Sequence, residues 1–143
     1  MLAFDINKKS EVQLLTIRAF IPPPKGSGFS ANCFIKRYLD NDITEAICFG
    51  GLEPFKQFDE LIAFIDKLRN YYHCNDTIII YTGYYPEEIE PQFSILKQFS
   101  NIVLKCGRYI PNRPSKYDEI LGITLASDNQ YVKLVDFDQI KSS

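Results

Sequence analysis

The chain of 143 residues has no tryptophan, one histidine and one methionine. With His73 alone, no Ser–His–Asp set is evident. The four cysteines, Cys33, Cys48, Cys74 and Cys106, are widely spaced, so there is no C-x-x-C and no other short metal-ligand spacing. There is no G-x-G-x-x-G and no P-loop. An excess of either charge is also lacking: the formal charge is −2, and nothing of the basic patch that signals a nucleic-acid partner is visible. No apolar run approaches the roughly 18 residues of a membrane span. The lysines at positions 8 and 9 follow the short apolar start, the wrong order for a secretory signal, so a cytoplasmic protein is expected.

What remains is an ordinary globule. Hydrophobic residues make up 45% and charged residues 24%, and the length suits one domain spanning 1–143, with 1–10 and 138–143 expected to fray. The cysteines are read as reduced thiols, with Cys48 and Cys106 as small buried hydrophobes at the ends of apolar runs.

Nine residues organise the rest: Ala46-Ile47-Cys48-Phe49-Gly50-Gly51-Leu52-Glu53-Pro54. An apolar run stops at a glycine pair, followed by one acid, one proline and a helical pattern. This is the order of a buried strand, a tight turn and a helix start. Ahead of it, residues 12–21 read as a strand ended by Pro22-Pro23-Pro24, and Lys25-Gly26-Ser27-Gly28 reads as a flexible link. Ser30 or Asn32 is placed to cap a short helix over 33–39, with Phe34, Ile35, Tyr38 and Leu39 on its apolar side.

After the glycine pair, Phe58, Leu61, Ile62, Ile65, Leu68 and Tyr72 fall at helical steps. Asp59 and Glu60 open that helix and Lys67 and Arg69 close it, in accord with the helix dipole. Residues 77–82 show no alternation and read as a strand buried on both faces. Pro86-Glu87-Glu88 starts another helix through Ile89, Phe93, Leu96 and Phe99, which Pro91 threatens to interrupt. Residues 101–105 form a further strand. Two short runs, 120–125 and 131–135, read either as a hairpin or as an irregular closing strand. Strands alternating with helices predict an α/β fold, either a partial (β/α) barrel or an open, mostly parallel sheet flanked by helices. The loops at Gly26, Gly50, Gly83 and Gly107 would then share one edge, where ligands bind in open α/β sheets.

Four segments, in order, resemble the radical S-adenosylmethionine superfamily, and within it the anaerobic ribonucleotide reductase activases. Phe49-Gly50-Gly51-Leu52-Glu53-Pro54 is similar to the Gly-Gly-Glu-Pro turn, with Leu52 inserted. Ile80-Tyr81-Thr82-Gly83-Tyr84 with Glu87-Glu88, then Gly107-Arg108-Tyr109-Ile110, then Ser127-Asp128-Asn129-Gln130 resemble later segments of that group. The resemblance spans about residues 43–133. It implies a partial barrel holding a [4Fe-4S] cluster on a C-x3-C-x2-C loop, with S-adenosylmethionine on the fourth iron. It also implies that Gly50, Gly51 and Glu53 hold the cofactor's amine. The cluster loop would lie between Ile21 and Ile35, where this chain has only Cys33, so the family implies a cluster that the cysteines do not supply.

The expected cofactor-contacting set is therefore Gly50, Gly51, Glu53, Thr82, Tyr84, Asn129 and Gln130, with no catalytic residue and no metal ligand assigned. Each has a plainer reading beside it. Glu53 is also a helix N-terminal charge, Thr82 and Tyr84 are also strand-end packing, and Asn129 and Gln130 satisfy either an adenine edge or the backbone of a closing loop. Arg108 pairs with a bound anion or with a surface acid. His73 is read as a helix C-terminal residue. The expected function is that of a degenerate activase-like domain that binds a protein partner or an S-adenosylmethionine-like nucleotide, as an accessory or inhibitor protein would. The alternative is a radical activase whose cluster loop is altered or missing.

Overall fold

The computed structural model describes residues 2–7, 12–17, 31–41, 44–51 and 53–135. Five strands and three helices alternate from the second strand onward. They are β1 (Leu2–Asn7), β2 (Val12–Ile17), α1 (Ala31–Leu39), β3 (Thr44–Phe49), α2 (Phe58–Asp66), β4 (Thr77–Tyr81), α3 (Glu90–Leu96) and β5 (Ile102–Cys106). Three short strands follow, β6 (Lys116–Asp118), β7 (Ile123–Leu125) and β8 (Tyr131–Val135). The main sheet has the order β1-β2-β3-β4-β5-β8. Strands β2 to β5 pair in parallel, while β1 and β8 run antiparallel to their neighbours at the two sides. The result is an open, mostly parallel sheet flanked by helices rather than a closed barrel.

Each parallel strand presents alternate residues to two faces. One face carries the large side chains Ile47, Phe49, Ile78, Ile80, Ile102 and Leu104, and the three helices bury it with Phe34, Ile35, Tyr38, Leu61, Phe64, Ile65, Leu68 and Leu96. Phe64 sits at the centre, edge-on to Phe34 and to Phe49 at centroid distances of 5.7 and 5.1 Å. Burying one such ring stabilises the fold by about 2–3 kcal/mol. The other face carries the smaller Ala46 and Cys48 beside Ile79 and Val103, covered by Leu121. Residues 77–81 are therefore buried on both faces, which explains why their sequence does not alternate.

Several expectations are refined. Residues 2–7, within the stretch expected to fray, form β1, and no strand was foreseen there. Pro91 does not interrupt α3 but lies in its first turn, where the missing N–H costs nothing. The helix over 58–72 is α-helical to Asp66 and then widens to a π turn over Lys67–Tyr71. Arg69 does more there than answer a dipole: its guanidinium donates to the carbonyl oxygens of Cys74, Ser100 and Asn101 at 2.8–3.2 Å, tying the end of that helix to the turn before β5. Leu39 is 41% exposed and does not join the apolar side of α1.

The runs 120–125 and 131–135 are not each other's partners. β7 folds back on β6, and β8 closes the sheet against β5. The β6–β7 turn explains the choice: Asp118 accepts from Leu121 N through its carboxylate at 2.7 Å and from Gly122 N through its carbonyl at 2.9 Å, with Gly122 at φ 68°. The link at 22–28, Ser30, the side chain of Asn32 and the tail from 138 lie outside the described residues. Among the described residues no helix is long and apolar enough to cross a membrane.

Candidate functional site

Parallel pairing brings the carboxyl ends of β3, β4 and β5 to one edge, with the loops at Gly50, Gly83 and Gly107 side by side. A cavity of about 260 Å³ opens there, lined by Gly51, Glu53, Tyr81, Thr82, Gly83, Lys105, Gly107, Arg108, Tyr109 and Gln130.

Glu53 joins the first two loops. Its Oε2 accepts from Phe55 N at 3.0 Å and from the Thr82 hydroxyl at 2.8 Å, and its Oε1 accepts from Gly83 N at 2.8 Å. The first bond caps the short 3-10 turn Pro54–Gln57 that leads into α2, and the other two hold the end of β4. Thr82, nearly buried, passes the connection on by accepting from Tyr84 N at 3.1 Å. Among the described residues three of the four acceptor positions of the carboxylate are thus filled, which leaves one on Oε1. Both readings of Glu53 find a physical basis: it caps a helical turn, and it retains one acceptor position beside the cavity.

The closing loop does for β5 what Glu53 does for β4. Gln130, buried, donates Nε2 to Gly107 O at 3.1 Å and accepts from Ser127 N at 3.2 Å. Asn129 donates to the Tyr85 hydroxyl at 2.8 Å and to Arg108 O at 2.7 Å, and its buried Oδ1 has no partner among the described residues. Gly107 stands at φ +104°, and a Cβ there would come within 3.2 Å of Gln130 Cα and of the Tyr85 ring. Only glycine lets these two loops meet so closely.

Of the seven residues expected to contact a cofactor, Gly51, Glu53, Thr82 and Gln130 line the cavity. Gly50 is buried behind it against the Tyr81 ring. Tyr84 and Asn129 flank the lining without forming part of it: the Tyr84 carbonyl accepts from Gly107 N at 3.2 Å. Arg108 pairs with Glu88 at 2.8 Å on the surface, which holds the Glu88 carboxyl below its ordinary range, and it lies over the Tyr84 and Tyr85 rings at 5.8 Å.

Tyr81 and Lys105 were missed. Tyr81 is the last residue of β4 and Lys105 the next-to-last of β5, paired in register, and they project on the face opposite the helices, with Lys105 Nζ 4.8 Å from the Tyr81 ring centroid. The signal was present: counting two residues on from Ile79 and Val103 along a strand reaches both. Burial lowers the pKa of Lys105, outweighing the influence of Cys48 and Cys106, and burial pushes both of those thiols up to about 12.

The thiols do not fit an iron–sulfur cluster held by this chain. Cys48 lies on one face of the sheet and Cys106 on the other, Cys74 sits at the opposite edge, before β4, and Cys33 is exposed on α1. Among the described residues no three His, Cys, Asp or Glu side chains gather as a metal group. At the edge near Cys74 a second cavity of about 290 Å³ is lined by Arg69, His73 and Cys74, but the Arg69 guanidinium is already committed to backbone carbonyls. The exposed His73 holds a left-handed backbone at φ 56°.

A family model described as a 4Fe-4S single cluster domain matches residues 26–133. Neither a curated protein nor a solved structure matches the chain.

Proposed function

The chain belongs to the 4Fe-4S single cluster domain family, and from that premise we propose that it is a degenerate, radical S-adenosylmethionine-like member that works by binding rather than by cluster chemistry. The observation that supports this reading is a pairing within one molecule: the edge around Glu53 is fully built, while the thiols are dispersed. The ligand we propose is an S-adenosylmethionine-like nucleotide, with its amine on the open Oε1 position of Glu53. A cavity of about 260 Å³ is small beside the ~300–1,000 Å³ of complete ligand pockets. It takes one end of such a ligand and leaves the rest against the outer loops.

A partner protein is the second reading, and a specific observation favours it. Tyr109, Ile110, Tyr117 and Ile120 are exposed by 60, 38, 62 and 51% on the loop and hairpin that follow Gly107. Large apolar side chains exposed along one segment suit a protein contact. An accessory or inhibitory role toward a protein partner accords with both readings.

The test is anaerobic titration of S-adenosylmethionine into the purified protein, before and after incubation with iron and sulfide, followed by calorimetry and visible absorption. Saturable binding without a cluster spectrum is expected, weakened in Glu53→Gln. Assembly of a cluster with cleavage of S-adenosylmethionine would instead establish the alternative, an activase. Absence of both would overturn the nucleotide reading.

A further inference from the structure

Among the described residues no carboxylate pairs with Lys105. Its ammonium group is half-buried at the end of β5, and among the described residues the ion pairs are Arg108–Glu88 and Arg113–Asp128, neither of which involves it. Among the described residues its charge meets the face of the Tyr81 ring at 4.8 Å. An ammonium has three N–H donors, and a ring face engages one side of it. The thiols that influence it, Cys48 and Cys106, are kept protonated by burial and give no anion at neutral pH. Glu53 lines the same cavity, but three donors of its own loops surround its carboxylate. Arg108 also lines the cavity, with its guanidinium paired to Glu88.

We propose that Lys105 anchors an oxyanion subsite in the cavity at the carboxyl edge of β3, β4 and β5, taking the carboxylate or phosphate group of a small ligand. The inference deepens the ligand-binding reading above and rests on the same cavity. A partly desolvated cation holds an oxyanion more strongly than a surface lysine does, because the effective dielectric is lower. The Tyr81 ring beneath the ammonium limits its approach directions and so orients the anion. Gly51, Gly83 and Gly107 add no side chains to the cavity wall, which leaves the anion room beside the backbone.

The probe is inorganic phosphate, with acetate as the carboxylate arm, added at constant ionic strength to the full chain through the millimolar range. Backbone amide resonances of Gly51, Gly83 and Gly107 report the cavity, and the Lys105 Cε resonance reports the ammonium. Saturable shifts of both sets are expected. Lys105→Met should abolish them, while Lys116→Met, which removes an exposed hairpin lysine, should leave them unchanged. Phosphate stronger than acetate assigns the subsite to a phosphate ester, and the reverse order assigns it to a carboxylate. Shifts that are linear and non-saturating, or equal in the Lys105→Met protein, would overturn the proposal. If the Lys105→Met protein does not fold, the Lys105 Cε signal of the unsubstituted chain decides alone. Phosphate binding without S-adenosylmethionine binding would sink the nucleotide reading and keep the subsite. S-adenosylmethionine binding that Lys105→Met leaves intact, without phosphate binding, would do the opposite.

Discussion

Replacing Glu53 by glutamine changes no volume and removes one acceptor. The carboxylate serves Phe55 N and Thr82 Oγ1 through Oε2, and Gly83 N through Oε1. The amide has a single oxygen. With that oxygen toward Phe55 and Thr82, its NH2 group faces the Gly83 N–H, donor against donor. With the amide turned over, Gly83 is satisfied and Thr82 can accept instead of donate, but the Phe55 N–H is left facing NH2. Either orientation leaves one backbone N–H unpaired, at about 1–3 kcal/mol, and the charge-assisted strength of the others is lost as well. We expect Glu53→Gln to cost about 2 kcal/mol and Glu53→Ala about 3–4 kcal/mol, the larger because all three donors and the cap are lost. For a chain of 143 residues, 2 kcal/mol is a fall of roughly 5–8 °C in Tm. Urea unfolding monitored by circular dichroism measures it. Combining Glu53→Gln with Thr82→Val should show a coupling of about 0.5–3 kcal/mol. A Glu53→Gln protein within 0.5 kcal/mol of the parent would refute the reasoning and mean that the carboxylate is not a strut of this edge.

Two further outcomes follow from the same geometry. Gly107→Ala forces a Cβ to φ +104° and into 3.2 Å contacts with Gln130 and Tyr85, and should cost about 2–4 kcal/mol; Gly83→Ala, whose Cβ meets its neighbours at 3.6 Å, should cost under about 1 kcal/mol by the same unfolding assay. Cys48 and Cys106 titrate near 12 in the folded chain because burial disfavours the thiolate. Their folded values are raised, so their contribution is intact below the unfolded thiol's value and is lost as pH rises toward 12. By pH 10 the loss is about 1.5–2 kcal/mol per thiol. Cys48→Ala and Cys106→Ala should each flatten the fall in stability between pH 8 and pH 10, and profiles parallel to the parent's would contradict the assignment.

The alternation of strands and helices was legible because each element carries its own pattern. The helical steps through Leu61, Ile65 and Leu68 and the unbroken run Ile78-Ile79-Ile80 need no partner to be read. What escaped was pairing between distant segments. β1 is a short alternation, Phe4 and Ile6 against Asp5 and Asn7, and its strand character depends on β2 lying beside it. The fate of β7 was written in turn chemistry at Asp118 and Gly122, yet a hairpin with 131–135 met the apolar pattern equally well. At the site, the glycines and Glu53 stood out as punctuation, whereas strand alternation places Tyr81 and Lys105 on one face and only the register of β4 against β5 sets them side by side. Asn129 and Gln130 illustrate the converse: their amide groups attracted a ligand reading, and their polar atoms are spent largely on their own backbone.

The stitching at this edge has a kinetic consequence. The amides of Thr82, Gly83, Tyr84 and Gly107 lie beyond the last strand residues, yet all four are bonded, to Lys105 O, Glu53 Oε1, Thr82 Oγ1 and Tyr84 O. Amides in such loops ordinarily exchange with solvent through local fraying. Here no loop frays by itself, because freeing Gly83 means releasing the cap of the turn into α2, and freeing Gly107 means parting the loops after β4 and β5. In deuterium exchange these amides should open as one cooperative unit, at a common free energy close to that of the parallel strands. The rim would then behave as an extension of the sheet, a rigid lip rather than a set of independent gates.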